Sequence, residues 1–145
     1  MDYLLAIDVG STTTRCLLFD LQGMPIAEAY REPPVYHPQP TWTEVDAEDW
    51  WAATVAVVRQ VLEQVPDARQ QIRGVGLCGL MHAMVPLDAL GRPLARAMLW
   101  MDQRCQAQAQ WLSAEYGDLI QQSMGGGRRI GTTPSAPKLR WLVEH

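Results

Sequence analysis

The stretch LLAIDVGSTTTRCLLFD, residues 4–20, sets one acid, a glycine and a run of hydroxyls between two apolar segments. Residues 3–9 and 14–21 each have the β-branched and apolar content of a strand, and GSTT, residues 10–13, is short enough to join them as a tight turn. The next turn, LQGMP, leads into a third strand near residues 26–30. Three strands joined by short turns make an antiparallel meander, because a parallel pair requires a long crossover. The acid at the tip of the first strand is Asp8. Phosphate-cradling loops commonly carry a lysine, as in G-x-x-x-x-G-K-[ST], and a bare aspartate repels phosphate. Two readings of Asp8 stay open at this point. In one, Asp8 and Ser11 only satisfy the backbone of a polar hairpin. In the other, backbone N–H groups and hydroxyls of Gly10, Ser11, Thr12 and Thr13 meet phosphate oxygens, while Asp8 holds a hydrated Mg²⁺ that turns repulsion into attraction.

Outward from the hairpin, residues 31–45 form a proline-rich surface loop. A helix follows from DAEDWW, capped by Asp46, with Glu48 and Asp49 in its first turn. Trp50, Thr54, Val57, Val58, Val61, Leu62 and Val65 recur at spacings of three and four and give it one apolar face, and Pro66 stops it. IRGVGLCG and HAMVPLD read as strands, ALGRP as a turn and ARAMLWM as another strand. DQRCQAQAQWLSAEYG reads as a helix started by Asp102, GGGRRIGTTPSAP as a connector, and APKLRWLVEH as a further helix. The order β-β-β-α-β-β-β-α predicts an α/β domain with a mixed sheet, without repeats or a strong internal boundary. It is the order of an actin-like, ribonuclease-H-like ATPase lobe.

Composition narrows the function classes. The chain of 145 residues is 48% apolar and 19% charged with a net charge of −4, which describes a globular domain without a broad basic surface for nucleic acid or anionic membrane. No apolar run reaches the ~18 residues of a spanning helix, no basic n-region opens the chain, and the expected location is the cytoplasm. Cys16, Cys78 and Cys105 are odd in number and lack C-x-x-C spacing, so no disulfide framework or zinc site is expected. GVGLCG, residues 74–79, matches G-x-G-x-x-G in form only, since it neither follows a strand nor opens a helix. His82, in LMHAMVPLD, reads either as a satisfied residue at a strand edge or as a partner for a polyhydroxylated ligand. Asp102 and Arg104, in LWMDQRC, read either as a helix cap with a paired cation or as a carboxylate for sugar hydroxyls. Trp42, Trp50 and Trp51 are anchors of core and loop, and His37 carries no readable chemistry.

IDVGSTTTRCLLFD, TWTEVDAEDWWAA, GLCGLMHAMVPLDALGRPLARAMLWMDQRC and SAPKLRWLVEH, in this order, resemble the N-terminal part of the FGGY family of carbohydrate kinases, in its xylulokinase-like and gluconokinase-like branches. The resemblance implies an actin-like pair of lobes, with ATP between them and sugar held mainly by the first. It places Asp8 on the aspartate associated with Mg²⁺–ATP and Gly10, Ser11, Thr12 and Thr13 on the turn facing the phosphates. Met81 and His82 fall on a Met-His pair that contacts sugar in xylulokinases, and Asp102 on the acceptor-side W-x-D-x-R motif. The glycerol kinase branch carries an Arg-Glu pair at Met81-His82, which disfavours glycerol. Leu80 and Met101 replace the glutamine and asparagine common in xylulokinases, and each removes a hydrogen-bonding group. The family's catalytic base, second phosphate motif and adenosine site fall beyond residue 145. The expectation is therefore the opening part of the first lobe of a longer kinase, truncated and inactive alone, with the second lobe as its missing partner. The rival expectations are a non-catalytic module that binds a partner or forms a homodimer, and an actin-like ATPase without a sugar acceptor.

Overall fold

The computed structural model describes residues 1–145, apart from the side chain of Met124. Two compact units make up the chain, Met1–Pro34 with Asp46–Leu80 and Val35–Val45 with Met81–His145. This corrects the expectation of a chain without an internal boundary. Each unit is discontinuous in sequence, so no linker of distinctive composition marks the division.

The first unit is the meander and its helix. Strands β1 (Tyr3–Val9), β2 (Thr14–Asp20) and β3 (Pro25–Arg31) pair antiparallel, and β5 (Ile72–Gly79) adds parallel to β1, giving the order β3-β2-β1-β5. The sheet is therefore mixed, as the order of elements required. Alternation along the strands puts Tyr3, Leu5, Cys16, Leu18, Ala27 and Ala29 on one face, where they pack with Val57 and Val61 of helix α1 (Ala47–Gln64). Each fully buried valine contributes roughly 1.5–3 kcal/mol. Asp46 accepts a hydrogen bond from the Glu48 N–H at 3.0 Å and caps α1 as expected. The short helix α2 (Ala68–Gln71) returns the chain to the sheet. GVGLCG lies wholly within β5, where Gly74 stands opposite Leu4 and a Cβ on it would lie 3.4 Å from a Leu4 methyl. These glycines serve strand packing.

In the second unit the expected strands shrink. Part of the proline-rich loop forms β4 (Glu44–Val45), which pairs antiparallel with β6 (Ala97–Met98). HAMVPLD contributes only isolated bridges at Met84 and Leu87, and ARAMLWM is extended only at β6. Prolines 86 and 93, lacking N–H donors, limit ladder pairing on both sides of the turn. ALGRP is the turn it was read as: Asp88 accepts from the N–H groups of Leu90 and Arg92, and Gly91 takes φ +77°. Helix α3 (Gln106–Met124) begins four residues after Asp102, because the Asp102 carboxylate is committed elsewhere and does not cap it. Helix α4 (Ser135–Glu144) packs on α3, with the Gln108 side chain donating to Glu144 at 2.6 Å. No helix among the described residues is long and apolar enough to cross a membrane.

Cys16 and Cys105 are buried and Cys78 is exposed. At neutral pH a thiol reagent is expected to titrate Cys78 in the folded chain and the other two only after unfolding. Burial pushes the Cys16 thiol up to about 11, whereas in the unfolded chain it ionises near the ordinary ~8.5. Between those values the unfolded state loses the proton first, so folding stability falls as pH rises through that window. Urea midpoints at pH 8 and 10.5 measure the slope, which is expected to be shallower in Cys16→Ala.

Candidate functional site

The β1–β2 hairpin places the first group of residues. Pairing runs to Val9 opposite Thr14, which leaves residues 10–13 as the turn, closed by the Gly10 N–H donating to the Thr13 carbonyl at 2.9 Å. A Cβ on Gly10 would stand 2.9 Å from that same carbonyl, closer than real Cβ atoms come. Glycine is thus required here by close backbone approach. Asp8 is exposed on the strand beside the turn, and among the described residues no hydrogen bond or ion pair reaches its carboxylate. Asp8, Gly10, Ser11, Thr12, Thr13 and Arg15 line one polar recess of about 340 Å³. Arg15 borders it while its Nε lies 3.3 Å from Glu28, so its charge is shared with β3.

Asp8 is the one carboxylate of the recess, and no group of three or more metal-ligating side chains occurs among the described residues. That donor set fits a Mg²⁺ that keeps most of its water and is bound through one carboxylate and substrate phosphates. The hydroxyl-bearing residues Ser11, Thr12 and Thr13 line the same recess as Asp8.

The residues expected to face an acceptor, Met81, His82 and Asp102, belong to the second unit. Met81 is 75% exposed and His82 is exposed beside it. His82 occupies a turn at φ +62°, not the strand edge expected, and it is the one non-glycine at positive φ among the described residues. Asp102 is different. It is 0% exposed. Its Oδ2 accepts from the Thr43 N–H at 2.7 Å and Arg104 Nη2 at 2.6 Å, and its Oδ1 accepts from the Arg104 N–H at 3.0 Å and Arg104 Nε at 2.9 Å. Both oxygens are filled by protein donors, so the structure brings Asp102 to an internal anion site and leaves Met81 and His82 at the surface.

The reading of Arg104 as a paired cation holds, but sequence reasoning missed the reach of its network. The Arg104 side chain is 4% exposed, forks onto Asp102 and donates to Glu44 at 2.7 Å. Its guanidinium carbon lies 3.6 Å from the Trp42 ring centre and 5.1 Å from that of Trp141, and the two rings meet edge to face. Burial alone would loosen the guanidinium's proton, but the hydrogen bonds and charges of Asp102 and Glu44 outweigh it and hold the proton more firmly. The signal available in the sequence was two tryptophans, two acids and an arginine. Nothing in their spacing reveals that residues 42–44 and 102–104 meet.

Removing one member of a buried ion pair strands the other charge, at about 3–5 kcal/mol. Arg104→Ala is therefore expected to lower unfolding stability by that order in urea titration, and Arg104→Lys to recover only part because it cannot fork. A loss below about 1 kcal/mol in Arg104→Ala would show the cluster to be dispensable. Gly10→Ala is expected to cost about 1–3 kcal/mol through its clash with Thr13, read by the same titration. An unchanged midpoint would show that the turn yields without strain.

The profile of the FGGY family of carbohydrate kinases, N-terminal domain, matches residues 3–145. A glycerol kinase of Acinetobacter baylyi is 37% identical over 148 aligned residues, covering 100% of this chain and 29% of that protein. A crystal structure described as a xyloylose kinase from Brucella ovis superposes with a TM-score of 0.91 at 30% identity, over 99% of this chain and 29% of that one. A xylulose kinase from Rhodospirillum rubrum gives 0.88 at 27% identity over the same shares. The chain thus spans less than a third of the length of these relatives. The mixed sheet has the actin-like ATPase fold of these sugar kinases. With nearly its whole length matched, the chain belongs to the FGGY family of carbohydrate kinases.

Proposed function

We propose that the protein carrying this chain transfers the γ-phosphoryl group of Mg²⁺–ATP to a hydroxyl of a ketopentose, such as xylulose, or of a sugar acid such as gluconate. The observation that carries the reading is Asp8: an unpartnered carboxylate beside a turn of backbone N–H groups and hydroxyls, in one recess. Phosphoryl transfer asks chiefly for positioning and charge neutralisation. The acceptor oxygen bonds to the γ-phosphorus, the bond to the β–γ bridging oxygen breaks, and ADP carries away the electron pair. When bound, Mg²⁺ supplies positive charge between the phosphate oxygens. Asp8 would hold it, and Gly10, Ser11, Thr12 and Thr13 would contact the phosphates. Met81 and His82 contact the acceptor. The acceptor hydroxyl's proton passes to a general base, which the family resemblance places beyond residue 145 and not among these residues.

Asp102 enters this reading in a changed role. With four donors already on its oxygens, it serves the acceptor side by fixing Arg104 and the Thr43 backbone, and direct sugar contact is left to Met81 and His82. A second acceptor, glycerol, is favoured by the identity to the Acinetobacter enzyme. The Met81-His82 pair speaks against it, since an imidazole and a thioether offer fewer charged contacts to a small triol than an Arg-Glu pair does.

In the protein that carries the chain, Asp8→Ala is expected to lower phosphoryl transfer by at least a hundredfold while the far-ultraviolet circular dichroism is unchanged. A coupled ADP-release assay with D-xylulose, gluconate and glycerol reads both questions. Near-normal turnover in Asp8→Ala would overturn the metal role, and turnover confined to glycerol would overturn the acceptor assignment.

A further inference from the structure

Lys138 is the only lysine in the sequence. The other cationic side chains counted with it are arginines. It is also 0% exposed. It stands in the first turn of α4, where the helix dipole disfavours a cation. Helix propensity and surface charge therefore give no reason for it. Its Nζ donates to the His82 carbonyl at 2.9 Å and to the Thr133 carbonyl at 2.5 Å. A compact ammonium with rotatable donors reaches two convergent carbonyls on different segments, which a planar guanidinium fork does less well.

The carbonyl it holds belongs to the strained residue. A side-chain-bearing residue stays in the left-handed region only where its surroundings fix it there. The chain on either side of His82 is anchored: the Leu80 N–H donates to the Val9 carbonyl at 3.0 Å, and Met84 and Met98 exchange two backbone hydrogen bonds at 3.0 Å each. Between these anchors, Lys138 is the group bonded to the His82 peptide. The buried charges of this unit also balance around it, with Asp102 and Glu44 negative and Arg104 and Lys138 positive. Desolvation lowers the Lys138 pKa, opposed by Cys105 and Asp102.

We propose that Lys138 is a positioning residue: its ammonium fixes the His82 carbonyl, and with it the left-handed turn that presents Met81 and His82 to a polyhydroxylated acceptor. The clamp itself is independent of the acceptor, and the last clause rests on the function proposed above.

The test uses the 145-residue chain with its seven methionines ¹³C-labelled at the methyl group. Met98, 2% exposed, reports the fold, and Met81 reports the turn. In Lys138→Met the Met81 methyl and the His82 imidazole are expected to shift while Met98 stays. Adding His82→Gly to that variant is expected to return Met81 toward its original position, because glycine takes positive φ unaided. Should Lys138→Met lose the Met98 signal, the same glycine is expected to restore it. Unmoved Met81 and His82 signals in a folded Lys138→Met chain would overturn the clamp, as would a failure of glycine to restore either signal. D-xylulose added to the unaltered chain is expected to shift Met81 and His82. If the clamp results hold and xylulose, gluconate and glycerol all leave both signals unmoved, the acceptor reading falls and the clamp stands.

Discussion

A guanidinium leaves water only where its donors and its charge are both answered, and Arg104 sets that condition for the second unit. Asp102 and Glu44 supply the charge, and the faces of Trp42 and Trp141 supply the walls. Those partners come from the loop before α1, the segment after β6 and helix α4, so satisfying one side chain ties three separated segments. Two-residue strands such as β4 and β6 contribute little pairing energy alone. The ion cluster and the aromatic rings supply what the ladder lacks, at a desolvation cost that only a complete set of hydrogen bonds offsets.

Two aspartates near strand ends meet opposite fates. Asp102 is closed over by four donors and becomes part of the scaffold. Asp8 is left in the open beside a turn whose glycine is required by the backbone's own approach. A carboxylate that the fold does not use is available to a ligand, whereas one that the fold saturates is not. That contrast supports the proposal that the phosphate end of the chemistry lies at Asp8 and the hairpin, with Asp102 serving the scaffold.

The first unit was legible in the sequence because its information is local. Alternation in β1 and β2, the turn between them, the Asp46 cap and the valine face of α1 are all written within a few residues of one another. The second unit was not. HAMVPLD and ARAMLWM have strand composition, but Pro86 and Pro93, which lack N–H donors, limit their ladder pairing. Asp102 sits where a helix cap belongs, and its capture by Arg104 and Thr43, 59 residues away in the chain, has no local sign. The turn at His82 was equally hidden: histidine is among the side chains that more often take positive φ, but the lysine that bonds its carbonyl lies 56 residues downstream. The family resemblance supplied the roles expected of Asp8, Met81, His82 and Asp102, and the geometry showed Asp102 to be the one whose oxygens are already filled.

The unsatisfied Asp8 carboxylate and the hydroxyl-bearing turn beside it are proposed to hold a nucleotide's phosphates, and Met81 and His82 to meet the acceptor. Amide chemical-shift mapping of the ¹⁵N-labelled chain, titrated first with Mg²⁺–ATP and then with D-xylulose, tests this proposal most directly. Nucleotide is expected to move the amides of residues 8–13, and xylulose those of residues 81 and 82. Nucleotide shifts absent from residues 8–13 but present elsewhere in the chain would contradict it.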